Sequence, residues 1–289
     1  MNMAPPKIRA VTMSLALIGA VGLSAIAATA PAHADDAVTA PVAVSISKKR
    51  VITMPATIQP GVNTFHVSAA GKNSDFQLLQ AEAGYTAEEA ARDVEKGFEG
   101  KVRPLKRFEA NVTLLGGVTA SADHMGTLVV DLPVGTLWAL DVNTDDPAKW
   151  LSFTVAGADT GNVMPASTTV KAKSSATWAK SPASIPNKGM LTFKNAASQN
   201  HFLEMVKLKR GKHLKDFNEW FLAPNGPAGP PPVDFSKSLS IGVISPGHSQ
   251  TVDYKLPKGN YIMLCFWPDA TMGGTPHAFM GMVREIKLK

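Results

Sequence analysis

Short alternations of period two dominate the pattern of apolar and polar positions along the chain. Val42, Val44 and Ile46 alternate with small or polar residues, as do Leu191 and Phe193, and Ile286 and Leu288 near the C-terminus. Such alternation turns one side of an extended chain to a core and the other to solvent, so it predicts half-buried strands. Glycine and proline punctuate the runs at "QPG", "LPVG", "SPG" and "LPKG", which are turn signals between strands. Many short strands at this spacing predict Greek-key β-sandwich architecture. Two stretches depart from it. Thr86 and Glu89 form a capping box ahead of "AARDVEKGF", which predicts a helix. "KDFNEWF" and the proline-rich "APNGPAGPPP" after it predict a short helix followed by a surface loop.

The pattern occurs twice. "MPATIQPGVNTFHVSAAGKNSDFQLLQ" (54–80) matches "SPASIPNKGMLTFKNAASQNHFLEMVK" (181–207) with short gaps, and "LPVGTLWALDV" (132–142) lies over "LPKGNYIMLCF" (256–266) without one. The order of the two matches is the same in both copies. A tandem duplication follows, with copies at 40–157 and 168–289 and a small, polar linker at 158–167. Each copy has the size of an ordinary domain.

Residues 1–34 have the layout of a secretory signal peptide. Lys7 and Arg9 precede an apolar run from Val11 to Ala28, and Ala32-His33-Ala34 supplies the small-residue cleavage site. The expected mature chain begins at Asp35, is secreted or periplasmic, and has no further stretch long and apolar enough to span a bilayer. It carries 27 basic and 23 acidic residues, a balance too mild to point to nucleic acid. Cys265 is the only cysteine, so no internal disulfide can form and the fold rests on its apolar cores. The leftover thiol is then either a buried, inert hydrophobe or a ligand.

The second copy holds the residue types of a mononuclear copper site: a thiolate, two imidazoles and a thioether. His201 follows "SQN" at the start of a predicted strand, Cys265 ends the strand "GNYIML", and His277 and Met282 follow in the same connection. The spacing Gly259-x-Tyr261-x-x-x-Cys265 and the ending His277-x-x-x-Gly281-Met282 resemble the cupredoxin (blue, type 1 copper) family. The resemblance covers about 168–289. It implies two tandem cupredoxin-like Greek-key β-sandwich domains, an all-β fold with a short helical or loop insertion in each. It also implies one copper per chain, with His201, Cys265 and His277 as equatorial ligands and Met282 as the axial one. Met280 is a rival for the axial place. Eleven residues separate Cys265 from His277, where small blue-copper proteins usually have two to four and copper nitrite reductases have a longer loop. Asp269 and Met272 within that loop fall outside the pattern.

The first copy has the scaffold without the chemistry. Asp141 aligns with Cys265, Asp75 is expected at the His201 position, and "DDPAKWLSFTV" has neither histidine nor methionine. His66, His124 and His248 read as ordinary strand, loop and turn residues. The basic run "KLKRGKHLK" (207–215), which includes His213, reads as a solvated strand end and turn. Leu264 and Phe266 flank Cys265, where multicopper oxidases and nitrite reductases place a histidine that relays electrons to a second copper centre. The chain is therefore expected to be no enzyme. The leading expectation is an exported copper protein that carries electrons to or from a redox partner protein, or holds copper. The alternative is a metal-free β-sandwich acting as a binding or envelope protein.

Overall fold

The computed structural model describes residues 39–71, 73–173, 176–179, 183–224 and 226–289, and the leader expected at 1–34 lies outside them. In the first half the main strands are β1 (Val42–Ile46), β2 (Gly61–Ala69), β3 (Ser74–Ala81), β4 (Val112–Ala120), β5 (Gly126–Leu132), β6 (Gly135–Asp141) and β7 (Leu151–Val155). Those of the second half are β8 (Thr168–Lys173), β9 (Lys188–Asn195), β10 (His201–Leu208), β11 (Val233–Ile244), β12 (Ser249–Lys255), β13 (Gly259–Leu264) and β14 (Val283–Leu288). The pattern along β2 shows why these segments extend. Asn63, Phe65 and Val67 are buried while Thr64, His66 and Ser68 turn outward, the period of a strand with one face on a core.

Each half is a Greek-key sandwich, and the strand order of one repeats in the other. β1 runs parallel to β2 as β8 does to β9, β3 lies between β4 and β6, and β10 lies between β11 and β13. The expected fold class, two tandem cupredoxin-like sandwiches, is the one observed. The halves join along their edges into two continuous sheets. One runs β8-β9-β12-β5-β2-β1 and the other β14-β13-β10-β11-β4-β3-β6-β7, each extended by two-residue strands at its ends. The joins are β12 on β5 and β11 on β4, both antiparallel.

The second join is tight. A Cβ added at Gly242 would lie 2.5 Å from Gly117 Cα, and one added at Gly117 would lie 2.0 Å from the Phe76 carbonyl oxygen. Where the backbones meet, two glutamines complete the ladder. The Gln77 amide donates to the Val243 carbonyl at 3.0 Å and accepts from the Val243 N–H at 2.9 Å. Gln250 accepts from Gly117 N–H at 2.7 Å and donates to the Gly242 carbonyl at 2.5 Å. These side chains satisfy buried backbone groups that would otherwise lack partners.

Two helices, α1 (Ala87–Phe98) and α2 (Val102–Asn111), connect β3 to β4, and α3 (Leu214–Phe221) connects β10 to β11. The expected capping box starts α1, with Glu89 N–H on Thr86 Oγ1 at 3.2 Å and Thr86 N–H on Glu89 Oε2 at 3.1 Å. α2 was not expected, and it contains Pro104. The proline stands in the first turn, where its missing N–H has no intrahelical partner to lose. Leu105 and Phe108 form its buried face, and the Arg107 guanidinium grips the buried Asp93 carboxylate of α1. Tyr85 also donates to Asp93, at 2.8 Å.

Because only glycine fits at the join, Gly242→Ala is expected to destabilise the chain by about 1–3 kcal/mol, as overpacking does elsewhere. A lowered midpoint in urea, with Gly71→Ala, where an added Cβ meets nothing within 4 Å, as the comparison, checks this.

Candidate metal centre

The inward face of the second sandwich is built by alternation. On β13 Tyr261 and Met263 point into the main core, and Cys265, one residue past the strand, continues the series. Ile262 and Leu264 point the other way, into a separate cluster with Phe217 and Phe221 of α3. On β10 His201, Leu203 and Met205 face inward. The loop before His201 is braced by Asn195, which donates to the carbonyls of Gln199 at 2.7 Å and Ile244 at 3.0 Å.

The eleven residues after Cys265 form a small ribbon. Pro268 pairs with Pro276 and Asp269 with Thr275, and His277 N–H donates to the Trp267 carbonyl at 3.0 Å. Asp269 organises the turn. Its Oδ1 accepts from Thr271 N–H and Oγ1, both at 2.6 Å, and from Met272 N–H at 3.1 Å. Gly273 and Gly274 take the left-handed conformations (φ 70° and 81°) that complete it. A one-turn 3₁₀ segment, His277–Met280, then ends at Gly281 with φ 99°, so the chain reverses and Met282 N–H returns to the His277 carbonyl at 3.0 Å. The His277-x-x-x-Gly281-Met282 spacing is thus the length of this turn.

Cys265 Sγ lies 3.6 Å from His201 Nδ1 and 3.7 Å from His277 Nδ1, and the ligand atoms of the three residues all fall within 4.8 Å of one another. The imidazole centroids are 4.5 Å apart. Bonds of ~2.3 Å to sulfur and ~2.0 Å to nitrogen place sulfur and nitrogen about 3.5 Å apart at a tetrahedral angle and about 3.7 Å apart at a trigonal one. The measured separations match this interval, so the donor set fits a metal of copper or zinc size. All three side chains are 0% exposed. Neither His201 Nε2 nor His277 Nε2 has a hydrogen-bond partner among the described residues; His277 Nε2 lies 3.9 Å from Asp269 Oδ2.

Burial sets the protonation states. It pushes His201 down to about 3, with His277 adding to the effect, and it pushes His277 down to about 4. Both imidazoles are neutral at pH 7, as ligation requires. Burial pushes the Cys265 thiol up to about 12, against a lowering contribution from the Phe202 N–H, which donates to Sγ at 3.5 Å.

Met282 is fully buried and belongs to the same apolar core as Cys265, and its carbonyl accepts from Trp178 Nε1 at 3.3 Å. Met280 is half-buried and Met272 is 57% exposed. Of the three methionines after the cysteine, Met282 alone is enclosed with it.

The first half is a natural contrast. β3 pairs Leu78 with Ala139, and β10 pairs Met205 with Met263. That register sets Asp141 at the Cys265 position and Ser74, not Asp75, at the His201 position. Asp75 corresponds to Phe202. A conserved contact type agrees: Asp75 N–H donates to Asp141 Oδ1 at 3.1 Å as Phe202 N–H donates to Cys265 Sγ. The expected alignment of Asp75 with His201 was one residue off because a short gap hid the register. Arg50 closes this counterpart site, its Nη1 2.5 Å from Asp141 Oδ2.

Two features escaped the sequence reading. The turn chemistry of Asp269 was legible in "DATMGG", since an aspartate two residues before a threonine and ahead of paired glycines is an Asx-turn signature. The covering of the ligand loop by the first half was not legible. Trp267 packs edge-on to Phe98 (5.4 Å) and near Phe108 (6.1 Å), and its indole N–H donates to Glu109 Oε1 at 2.8 Å.

No protein-family model matches the chain, and no curated protein sequence matches it. Among solved structures, the dithionite-reduced auracyanin of the photosynthetic bacterium Roseiflexus castenholzii aligns over 43% of this chain and 99% of its own, at 24% identity and a TM-score of 0.26. Auracyanin B aligns over 44% and 92%, at 20% identity and a TM-score of 0.28. The copper nitrite reductase of Nitrosomonas europaea aligns over 86% and 93%, at 13% identity and a TM-score of 0.24. The assignment of the fold as cupredoxin-like rests on the strand order and registers of the chain itself.

Removing the Asp269 carboxylate should loosen the ribbon that returns His277 to Cys265. Asp269→Ala is expected to keep the fold by circular dichroism while weakening copper affinity about 10–100-fold, the usual cost of losing support behind a ligand. Competition against a chelator of known affinity measures it.

Proposed function

We propose that this chain is an exported, cupredoxin-like mononuclear copper protein that carries single electrons to or from a redox partner protein. His201, Cys265 and His277 would hold the metal, and Met282, buried in the same core as Cys265, would offer a weak thioether donor. The observation that carries this reading is the meeting of two imidazole Nδ1 atoms with one thiol sulfur, at 3.6 and 3.7 Å, inside a sandwich core. Bound copper would supply one-electron chemistry by alternating between Cu(I) and Cu(II). The residues do the rest. The core holds the three donors in place, the Phe202 N–H steadies the sulfur, and complete burial keeps water from the thiolate. Burial also favours a resident metal over one handed on to acceptors, which supports electron transfer over copper holding. Among the described residues, no helix is long and apolar enough to cross a membrane. Export is read from the leader pattern at 1–34.

The experiment is an absorption spectrum after addition of Cu(II) to the chain lacking its leader. An intense visible thiolate-to-copper band is expected, lost in Cys265→Ser and strongly weakened in His201→Ala. A colourless protein that takes up no copper in either redox state rejects the reading.

Copper uptake should also depend on pH in a defined sense. The thiol is protonated and both imidazoles are neutral near pH 7, so ligation releases one proton, that of Cys265. Apparent affinity should then rise about tenfold per pH unit between roughly pH 5 and 9, because a falling proton concentration favours the thiolate. Calorimetry in buffers of different ionisation enthalpy counts the proton.

A further inference from the structure

Three carboxylates are buried among the described residues, those of Asp93, Asp141 and Asp269. Charges enclosed in a fold are paired, because a lone ion gives up its hydration for nothing. Two of the three obey this. Asp93 is gripped by Arg107, and Asp141 is met by Arg50. Asp269 differs. No lysine or arginine pairs with it among the described residues, and its one ion-pair contact is His277 Nε2, at 3.9 Å. Burial keeps that ring neutral. Three hydrogen bonds donated to Asp269 Oδ1, from the Thr271 N–H and hydroxyl and the Met272 N–H, favour the ionised carboxylate. The anion therefore stands enclosed without a cation.

Its place beside the donor set is specific. The His277 ring has Cys265 Sγ on its Nδ1 side, at 3.7 Å, and Asp269 Oδ2 on its Nε2 side. A negative charge facing Nε2 favours the proton on that nitrogen, which leaves the Nδ1 lone pair free for a metal. The charges also add up. A Cys265 thiolate, two neutral imidazoles and the Asp269 carboxylate together carry two negative charges. A divalent ion cancels both, and a monovalent ion leaves one uncompensated inside the fold.

We propose that Asp269 is the counter-charge of the bound metal, a positioning residue that keeps the His277 proton on Nε2 and makes the site favour a divalent ion over a monovalent one, Cu(II) over Cu(I). The inference rests on the reading of His201, Cys265 and His277 as metal donors.

Asp269→Asn tests it. Asparagine keeps an oxygen for the turn and loses the charge. Competition against chelators gives the affinities of the unaltered and variant chains for Cu(I), Cu(II) and Zn(II). The substitution is expected to weaken Cu(II) and Zn(II) binding at least tenfold relative to Cu(I) binding. For the one-electron copper couple, a tenfold change in that ratio raises the reduction potential by about 59 mV. A purely structural role for Asp269 would weaken all three ions alike and leave the potential unmoved. A second readout requires no variant to fold: ¹⁵N NMR of the unaltered, metal-free chain should find the neutral His277 ring protonated at Nε2. The proposal is overturned if the variant loses affinity for the three ions equally, if its potential stays at the unaltered value, or if His277 carries its proton on Nδ1. Each of these results leaves the copper reading standing. A chain that takes up none of the three ions rejects that reading and this inference together.

Discussion

The edge-to-edge union of the two halves is the constraint on which the rest of the molecule depends. At Gly117 and Gly242 the strands approach so closely that neither residue can carry a side chain, and Gln77 and Gln250 supply the hydrogen bonds that the backbones there do not make with each other. Two continuous sheets fix the orientation of one sandwich on the other far more firmly than a flexible linker could. That orientation brings the helical pair of the first half onto the ligand loop of the second. Gly274 of the loop rests on Gly100 in the helical turn, where an added Cβ would lie 2.9 Å from Gly100 Cα. Trp267 is held by Phe98, Phe108 and Glu109. The half without the ligand set is therefore part of the wall of the candidate metal centre.

The two copies show how one scaffold position serves two chemistries. A backbone N–H points at residue 141 in one half and at residue 265 in the other. Either an anionic oxygen or a sulfur can accept it. In the first half the acceptor is a carboxylate, its charge is met by Arg50, and Ser74 stands where an imidazole would be needed. In the second half the acceptor is a thiol with two neutral imidazoles beside it. Burial suits both arrangements, because an enclosed carboxylate requires a cation and an enclosed thiol with two imidazoles requires none.

Much of this was legible in the sequence because strand alternation and turn residues act locally. Tyr261, Met263 and Cys265 could be placed on one face by counting, and Gly281 by the turn its position demands. That the two halves would share a strand order followed from the repeat. What stayed hidden depends on contacts between distant segments. Nothing near Trp267 announces that Phe98, more than 160 residues earlier, will lie against it. α2 was not legible either, since a proline in the first turn of a helix and one that ends a helix look alike in sequence. The edge pairing was also illegible, since nothing in β4 or β11 marks them as partners until their glycines are seen facing each other.

The clasp on Trp267 bears on timing. Two edge-on or tilted aromatic contacts and one hydrogen bond hold the ribbon that carries His277, and the donors beneath are shut away from solvent. A metal held by these donors would have its exit covered on this side until the clasp releases, an event that depends on local opening of the helical pair. Exchange would then share a rate with hydrogen–deuterium exchange at α1 and α2.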